Sequence, residues 1–328
     1  MAALLFGLEE EVFITEPERP TLQSLYYLSR LLWQDPADYY THTACNFTRG
    51  KDLRFGLMSG IEISTGTFRN IPDLLADLRR RRRELAGVCP GLIVPVGHLF
   101  DREEPTNVSG MHVHISGFPD RERAYRNLVY FLPLLALLSV NSPIAGNRFY
   151  GCSYRWAEAF AIGPLREDRR YRFQDLIESK RLGTLEIRVF DPVWDLDRIR
   201  ILLECIQAIL LVDADYPGDI EVYNRLRLKA AKEGYVEELR PIYRELTRLL
   251  PLPEDLFRHP PAEAVKDLWL RQGTLAVYSA LDNGYRNGLF VPRPVKPYKV
   301  RWPLMIAGFC GYYLPKMPYN LKKVWSEW

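Results

Sequence analysis

Hydrophobic and polar residues alternate in several short stretches and recur at helical spacing in longer ones. Period-two alternation predicts strands over Glu9–Ile14, Leu57–Thr65, Met111–Ser116 and Thr184–Phe190, with a further apolar strand over Leu92–Val96. Leucines at three- and four-residue steps predict helices over Ile71–Leu85, Asp120–Leu138, Leu196–Val212, Val236–Leu250 and Ala264–Asp282. Pro133 falls inside the second helix and is expected to bend it. Short strands separated by long helices, without tight β-α-β spacing, predict an α+β fold on an antiparallel or mixed sheet. From Pro292 onward prolines and aromatics break the pattern, and no element is assigned.

The alternation also sorts the polar residues, because a strand sends successive side chains to opposite faces. Glu9 and Glu11 share one face of the first strand, and Glu62 and Ser64 oppose Ile61 and Ile63. His112, His114 and Ser116 oppose Met111, Val113 and Ile115, while Glu186 and Arg188 oppose Leu185, Ile187 and Val189. A single sheet built from these strands has an apolar face for helices. Its other face displays Glu9, Glu11, Glu62, His112, His114, Glu186 and Arg188.

Clustered carboxylates repel and raise one another's pKa, so such a face calls for counter-charge. Oxygen-rich sites with few imidazoles suit Mg²⁺ or Mn²⁺ better than Zn²⁺. Magnesium held by few protein ligands commonly also holds substrate phosphates, and phosphoryl transfer then needs an Arg on the developing charge. Arg188, beside Glu186, suits that role. Each motif also has an ordinary reading. Taken alone, Glu9–Glu11 reads more often as a solvated strand end and Glu186-x-Arg188 as a structural ion pair, while His112-x-His114 reads equally as a polar strand face. The run Arg79–Arg83, flanked by Asp77 and Glu84, reads as a solvated helix face.

Composition narrows the picture without deciding it. The chain has 328 residues, 47% hydrophobic and 26% charged, which fits a globular protein of one large domain or two ordinary ones. A net charge of +3, from 44 basic and 41 acidic residues, gives no argument for nucleic acid. The five cysteines are scattered and none forms a C-x-x-C pair, which predicts reduced thiols and a cytoplasmic setting. No signal peptide is read at the N-terminus, and no apolar run reaches the length of a membrane span. Neither nucleic acid nor a membrane is expected as a partner.

Several segments, in order, resemble the carboxylate–amine ligase branch of the glutamate–cysteine ligase family. Gly7-Leu8-Glu9-Glu10-Glu11 resembles its G-x-E-x-E opening, and Glu62-Ile63-Ser64-Thr65 its E-I-S-T element. Gly97-His98 is similar to its G-x-H-P-F turn with Leu99 in place of proline, and Gly110 to Ile115 to its G-x-H-V-H strand. Leu134 to Pro143, Gly146 with Ser153-Tyr154-Arg155, Gly183 to Asp191 and Tyr223 to Arg227 with Ala230 complete the set.

The resemblance implies a glutamine-synthetase-like fold: a mainly antiparallel, funnel-like sheet with helices on its outer face. It implies one ligase domain over residues 1–290 and a Pro- and aromatic-rich extension over 291–328. By position it assigns Glu9, Glu11, Glu62, His112 and Glu186 to metal and phosphate binding. It assigns Arg188 and Glu62 to catalysis, and His112, His114, Arg155 and Arg188 to the nucleotide. It further implies ATP with Mg²⁺ or Mn²⁺, an acyl-phosphate intermediate, γ-glutamyl transfer to an amine and a place in glutathione biosynthesis. The partners would be small amino acids and amines, with a homo-oligomer possible. One element departs: where many members carry W-x-I-R-P, this chain has Leu176 to Leu182, with Lys180 or Arg181 as candidate substitutes. That leaves the acid and the amine open. A metallohydrolase built on His112-x-His114 is a weaker alternative, since only five histidines are present, and a non-catalytic binding protein on the same fold is another.

Overall fold

The computed structural model describes residues 4–16, 19–20, 23–44, 60–103, 109–163, 173–179 and 183–327. Its main strands are β1 (Leu5–Glu16), β2 (Thr43–Ala44), β3 (Gly60–Ser64), β4 (Leu92–Val94), β5 (Met111–Ser116), β6 (Leu176–Ser179) and β7 (Thr184–Phe190). The longer helices are α1 (Gln23–Gln34), α2 (Ile71–Val88), α3 (Arg121–Leu135), α4 (Leu196–Leu211), α5 (Ile220–Glu233), α6 (Arg240–Leu249), α7 (Pro261–Asn287) and α8 (Trp302–Glu327). The fold is α+β, and these seven strands belong to one sheet, six of them in the order β6-β7-β5-β1-β3-β2 and β4 off that path against β1. Every pairing among them is antiparallel, and β4 pairs with β1 at Phe13–Thr15, beyond the end of the β5 ladder.

The apolar residues of the alternating strands face helices, as their period requires. Phe6, Leu8, Val113, Ile115, Leu185 and Ile187 are all buried and join one core with residues of α2, α3, α4 and α5. A second cluster joins Val12, Ile14, Ile61 and Ile63 to α1, the end of α2 and Tyr312 of α8. Side-chain caps start the helices where sequence places them: Asp120 accepts from Arg123 N at 3.0 Å and Asn70 from Asp73 N at 2.8 Å. The α3 helix absorbs Pro133 and gives way to a 3-10 turn at Ala136–Leu138. Helix α7 is longer than its leucine spacing predicts and is interrupted at Gly273, whose φ of 79° lies outside helical space.

Two expectations are corrected. Arg79–Arg83 is not uniformly solvated: Arg81 and Arg82 are buried. Arg82 reaches through to Glu10, itself fully buried on the helix-facing side of β1, with Nε 3.1 Å from Oε2. The segment after Pro292 is not without structure. Helix α8 packs along α1, and a Cβ on Gly308 would lie 2.5 Å from Tyr26 Cα, so only glycine lets the two backbones approach this closely. Trp33 Nε1 donates to Gly311 O at 3.0 Å, and the buried Lys316 ammonium donates to Thr43 O and, at 3.0 Å, to the Tyr312 hydroxyl. The four described cysteines (Cys89, Cys152, Cys205 and Cys310) are free. No helix among the described residues is long and apolar enough to cross a membrane.

Candidate functional site

The register of three neighbouring strands gathers the polar face. Glu9 stands opposite His112 on β5 and opposite Ser64 on β3. Glu11 stands opposite Glu62, and His114 opposite both Glu186 and Gly7. Residues directly opposite one another share a face, so Glu9, Glu11, Glu62, His112, His114 and Glu186 all lie on the side away from the main core. Arg188 follows one strand position on. There the β5–β7 register shifts between Ile187 and Phe190, and Arg188 N bonds instead to Asp175 O at 2.8 Å.

Glu9 is the hub. Its Oε2 lies 3.3 Å from His112 Nδ1 and its Oε1 3.3 Å from His114 Nε2. Glu186 Oε1 lies 3.7 Å from His112 Nδ1 and 3.1 Å from Arg188 Nε. Burial disfavours a charge on Glu9, but hydrogen bonds and charge from His112 and His114 outweigh it and hold its carboxyl well below the usual range. Burial likewise works against charge on His114, yet the contacts with Glu9 raise its pKa above the ordinary imidazole value. The His114 imidazole thereby gains a preference for the charged form beside the Glu9 and Glu186 carboxylates.

The donor set fits a divalent cation. Glu9, His114 and Glu186 each offer a ligand atom within 4.8 Å of the others. Glu11 Oε2 and His114 Nδ1 are buried without a hydrogen-bond partner among the described residues, an arrangement that costs free energy until something satisfies them. The cluster shares Glu9 and Glu186 with the set read by resemblance and has His114 where that set had Glu11, Glu62 and His112. His112, expected as a ligand, is the deeper imidazole, 4% exposed and wedged between Glu9, Glu11 and Glu186. His114, expected at the nucleotide, joins Glu9 and Glu186 in the triad. Gly7 stands opposite His114, and a Cβ there would meet only Gly66 O within 4 Å. Glu62 is half-buried beside Glu11, outside this triad.

Arg155, expected at the nucleotide, is fully buried behind the site. Its guanidinium donates to Val189 O at 3.0 Å and Arg188 O at 3.2 Å, so it holds the irregular end of β7 from beneath. It needs Gly110, since a Cβ at that position would collide with the guanidinium and approach His112 Nε2 to 3.3 Å. Next to it, buried Asp191 accepts from Ser142 Oγ at 2.8 Å, Ser153 Oγ at 3.0 Å and Asn141 N at 3.0 Å. Asn141 in turn donates to Pro95 O at 2.8 Å and Pro192 O at 2.7 Å. Several motifs that looked like site elements thus meet in a supporting polar core.

Asp175, not singled out from sequence, is also buried there. Burial pushes its carboxyl up to about 6 against the opposing pull of Arg227 and the Tyr223 hydroxyl. Its signal in the sequence is faint, one acid just before an apolar strand. Glu10 and Arg82 had a clearer one. Glu10 must oppose Glu9 and Glu11, and Arg82 sits four residues after Leu78 on the apolar stripe of α2. Lys180 and Arg181, the candidate substitutes for the missing arginine element, lie outside the described residues, as do Cys45 and residues 57–59 of the third strand.

No family model and no curated protein matches the chain. Solved structures do. A glutamate–cysteine ligase from Francisella tularensis, solved in complex with AMP, is 12% identical over 98% of this chain and 94% of its own, with a TM-score of 0.60. The ligase PafA, solved in complex with the prokaryotic ubiquitin-like protein Pup, is 10% identical over 98% and 84%, with a TM-score of 0.54. A bifunctional glutathione synthetase from Pasteurella multocida is 14% identical with a TM-score of 0.53. It aligns with 96% of this chain, which spans 52%, about half, of its length. At these identities the likeness is one of fold alone: the chain shares the architecture of these three structures.

Proposed function

We propose that this protein is an ATP-dependent carboxylate–amine ligase that forms an amide through an acyl phosphate. The observation that carries the reading is the convergence of Glu9, His114 and Glu186, with Arg188 paired to Glu186, on one sheet face of a fold shared with such ligases. The reading assigns the chemistry to residues 1–290.

Glu9, Glu186 and His114 are the residues that would hold Mg²⁺ or Mn²⁺, with Glu11 and Glu62 adding negative charge alongside. A cation held there would supply charge to offset the phosphate oxygens of ATP during γ-phosphoryl transfer. Arg188 presents a planar donor fork to phosphoryl oxygens and stabilises the charge that develops between donor and acceptor. Its carbonyl rests on buried Arg155, so the fork is held from behind before substrate arrives. His112 orients the Glu9 and Glu186 carboxylates. The substrate carboxylate oxygen attacks the γ-phosphorus and ADP leaves, giving the acyl phosphate. The amine then attacks the acyl carbon. The C–N bond forms as the C–O bond to phosphate breaks, and inorganic phosphate and the amine's proton depart.

The finer reading is a glutamate γ-carboxylate as the acid and cysteine as the amine. It rests on the sequence resemblance and on the ligase from Francisella tularensis as a structural neighbour. The departure at Leu176 to Leu182 favours keeping a different acid or amine as the second reading. Release of ADP from ATP with Mg²⁺, in pools of amino acids and amines, tests both. Release that requires glutamate plus cysteine supports the first, and release with another pair supports the second. No release from any pool, with ATP binding intact, points to a binding protein on this fold.

A further inference from the structure

Helix α8 has two apolar sides. One, with Gly308, Tyr312 and Lys316, is buried on α1 and β2. The other faces solvent: Trp302, Ile306, Leu314, Met317 and Leu321 are 64, 46, 61, 53 and 54% exposed. Pro303, Ala307 and Cys310 extend the same stripe, which recurs at three- and four-residue steps over five turns. Between Trp302 and Leu321 the one charged residue is Lys316, and it lies on the buried side. A helix that is apolar on all sides belongs in an apolar surround, and an uncharged stripe of this length is more than scattered surface hydrophobics.

The charge around the stripe says what covers it. Lys296, Lys299 and Arg301 are exposed just before it and Lys322 just after it. Residues 293–328 hold seven basic residues and one acid, Glu327, which leaves 37 basic and 40 acidic residues for the rest of the chain. A basic, apolar segment thus lies along the side of a body of slightly negative charge. A second copy of α8 would bring basic ends together in a parallel or an antiparallel pairing, and like charges so placed repel. An anionic lipid surface accepts both features at once. Headgroup phosphates meet the lysines and arginine, and the stripe enters the boundary with the acyl chains.

We propose that α8 lies in the plane of an anionic membrane surface and docks the protein there. At 26 residues the helix is about 39 Å long, and a helix that lies on a bilayer needs no spanning run of the kind sought in sequence. The proposal does not depend on the ligase reading, since no residue of the site takes part.

The test is flotation of the full chain with phosphatidylglycerol vesicles and, separately, phosphatidylcholine vesicles, at about 50 mM and about 500 mM salt. The expected result is flotation with phosphatidylglycerol at low salt, much weaker binding at high salt, and little with phosphatidylcholine. L314Q/M317Q/L321Q, which alters only exposed positions, should melt like the wild type and stay at the bottom of the gradient. K299Q/R301Q/K322Q should weaken binding roughly 100-fold, at about fivefold per basic residue. Absence of flotation with either lipid overturns the proposal, as does undiminished flotation of the L314Q/M317Q/L321Q variant. A dimer on sizing that this variant converts to monomer, without vesicle binding by the wild type, overturns it in favour of a second copy.

Discussion

Glu9 and His112 face each other across the central ladder of the sheet, with the carboxylate 3.3 Å from the imidazole Nδ1. That pairing makes Glu9 a charged group held by a neighbour and aimed at a shared space. If the space binds a cation that carries the phosphates, nucleotide binding must depend on it. Calorimetry of ATP binding with Mg²⁺ should show tight binding that EDTA removes, and Glu186→Gln should weaken it in the same way. Equal affinity with and without EDTA would show that the carboxylate face does not act through a metal.

Arg188 offers a sharper division between chemistry and support. Its Nε lies 3.1 Å from Glu186, so one role is to hold a carboxylate in place. If it also stabilises developing charge, Arg188→Ala should cut turnover by about 10²–10³ while leaving nucleotide affinity nearly unchanged. Arg188→Lys should not restore turnover, because an ammonium lacks the planar fork. Steady-state rates on the folded fraction, read beside a melting curve, decide the matter. A less stable but fully active variant would reduce Arg188 to an ion-pair partner.

On the other side of β1, Glu10 and Arg82 form an ion pair with almost no solvent, and Tyr285 adds a hydrogen bond to Glu10 at 3.0 Å. Removing one partner strands the other charge. Arg82→Met should cost about 3–5 kcal/mol of stability, and Glu10→Gln added to it should recover much of the loss. Denaturant unfolding measures both. A single variant within about 1 kcal/mol of wild type would mean that water already reaches the pair.

The buried Asp175 gives a signed pH dependence. Its carboxyl titrates near 6 in the fold and near 3.9 in an unfolded chain. The native state therefore holds the proton more tightly. The contribution is fully present below about pH 4 and is lost as pH rises through about 6. Asp175→Asn cannot ionise, so its melting temperature should gain on that of the wild type as pH goes from about 4 to about 7. A difference that stays constant across that window would mean Asp175 ionises as easily in the fold as in water.

Much of the site was legible because period two is an unforgiving rule: a single residue of slip would have put His112 and His114 in the core. The apolar partners Val113 and Ile115 fix the face, and the matching alternation in β1, β3 and β7 makes one surface of the four. What alternation cannot supply is depth and pairing. It placed His112 and His114 on the same face but could not say which would lie deeper, since depth is set by what the fold packs around each ring. It listed Arg79–Arg83 as charge, whereas the fold spends Arg82 on a carboxylate 72 residues away in sequence. Arg155 read as a ligand contact because a motif carried it there, and the fold sets it against Asp191 and the backbone carbonyls of a strand end that no sequence pattern announces. Helix α1 and the tail helix escaped notice for a related reason: each completes its packing with the other, so neither stands out alone.

That last pairing has a consequence for how the protein is made. The indole of Trp33 bonds to a carbonyl 278 residues further along the chain, and Gly308 sits against Tyr26 nearby. During synthesis at about 5–20 residues per second, roughly 15–60 s pass between the addition of Trp33 and the existence of Gly311. For that interval the side of α1 that α8 will cover has no mate, and it is the surface on which a nascent chain would call for a chaperone.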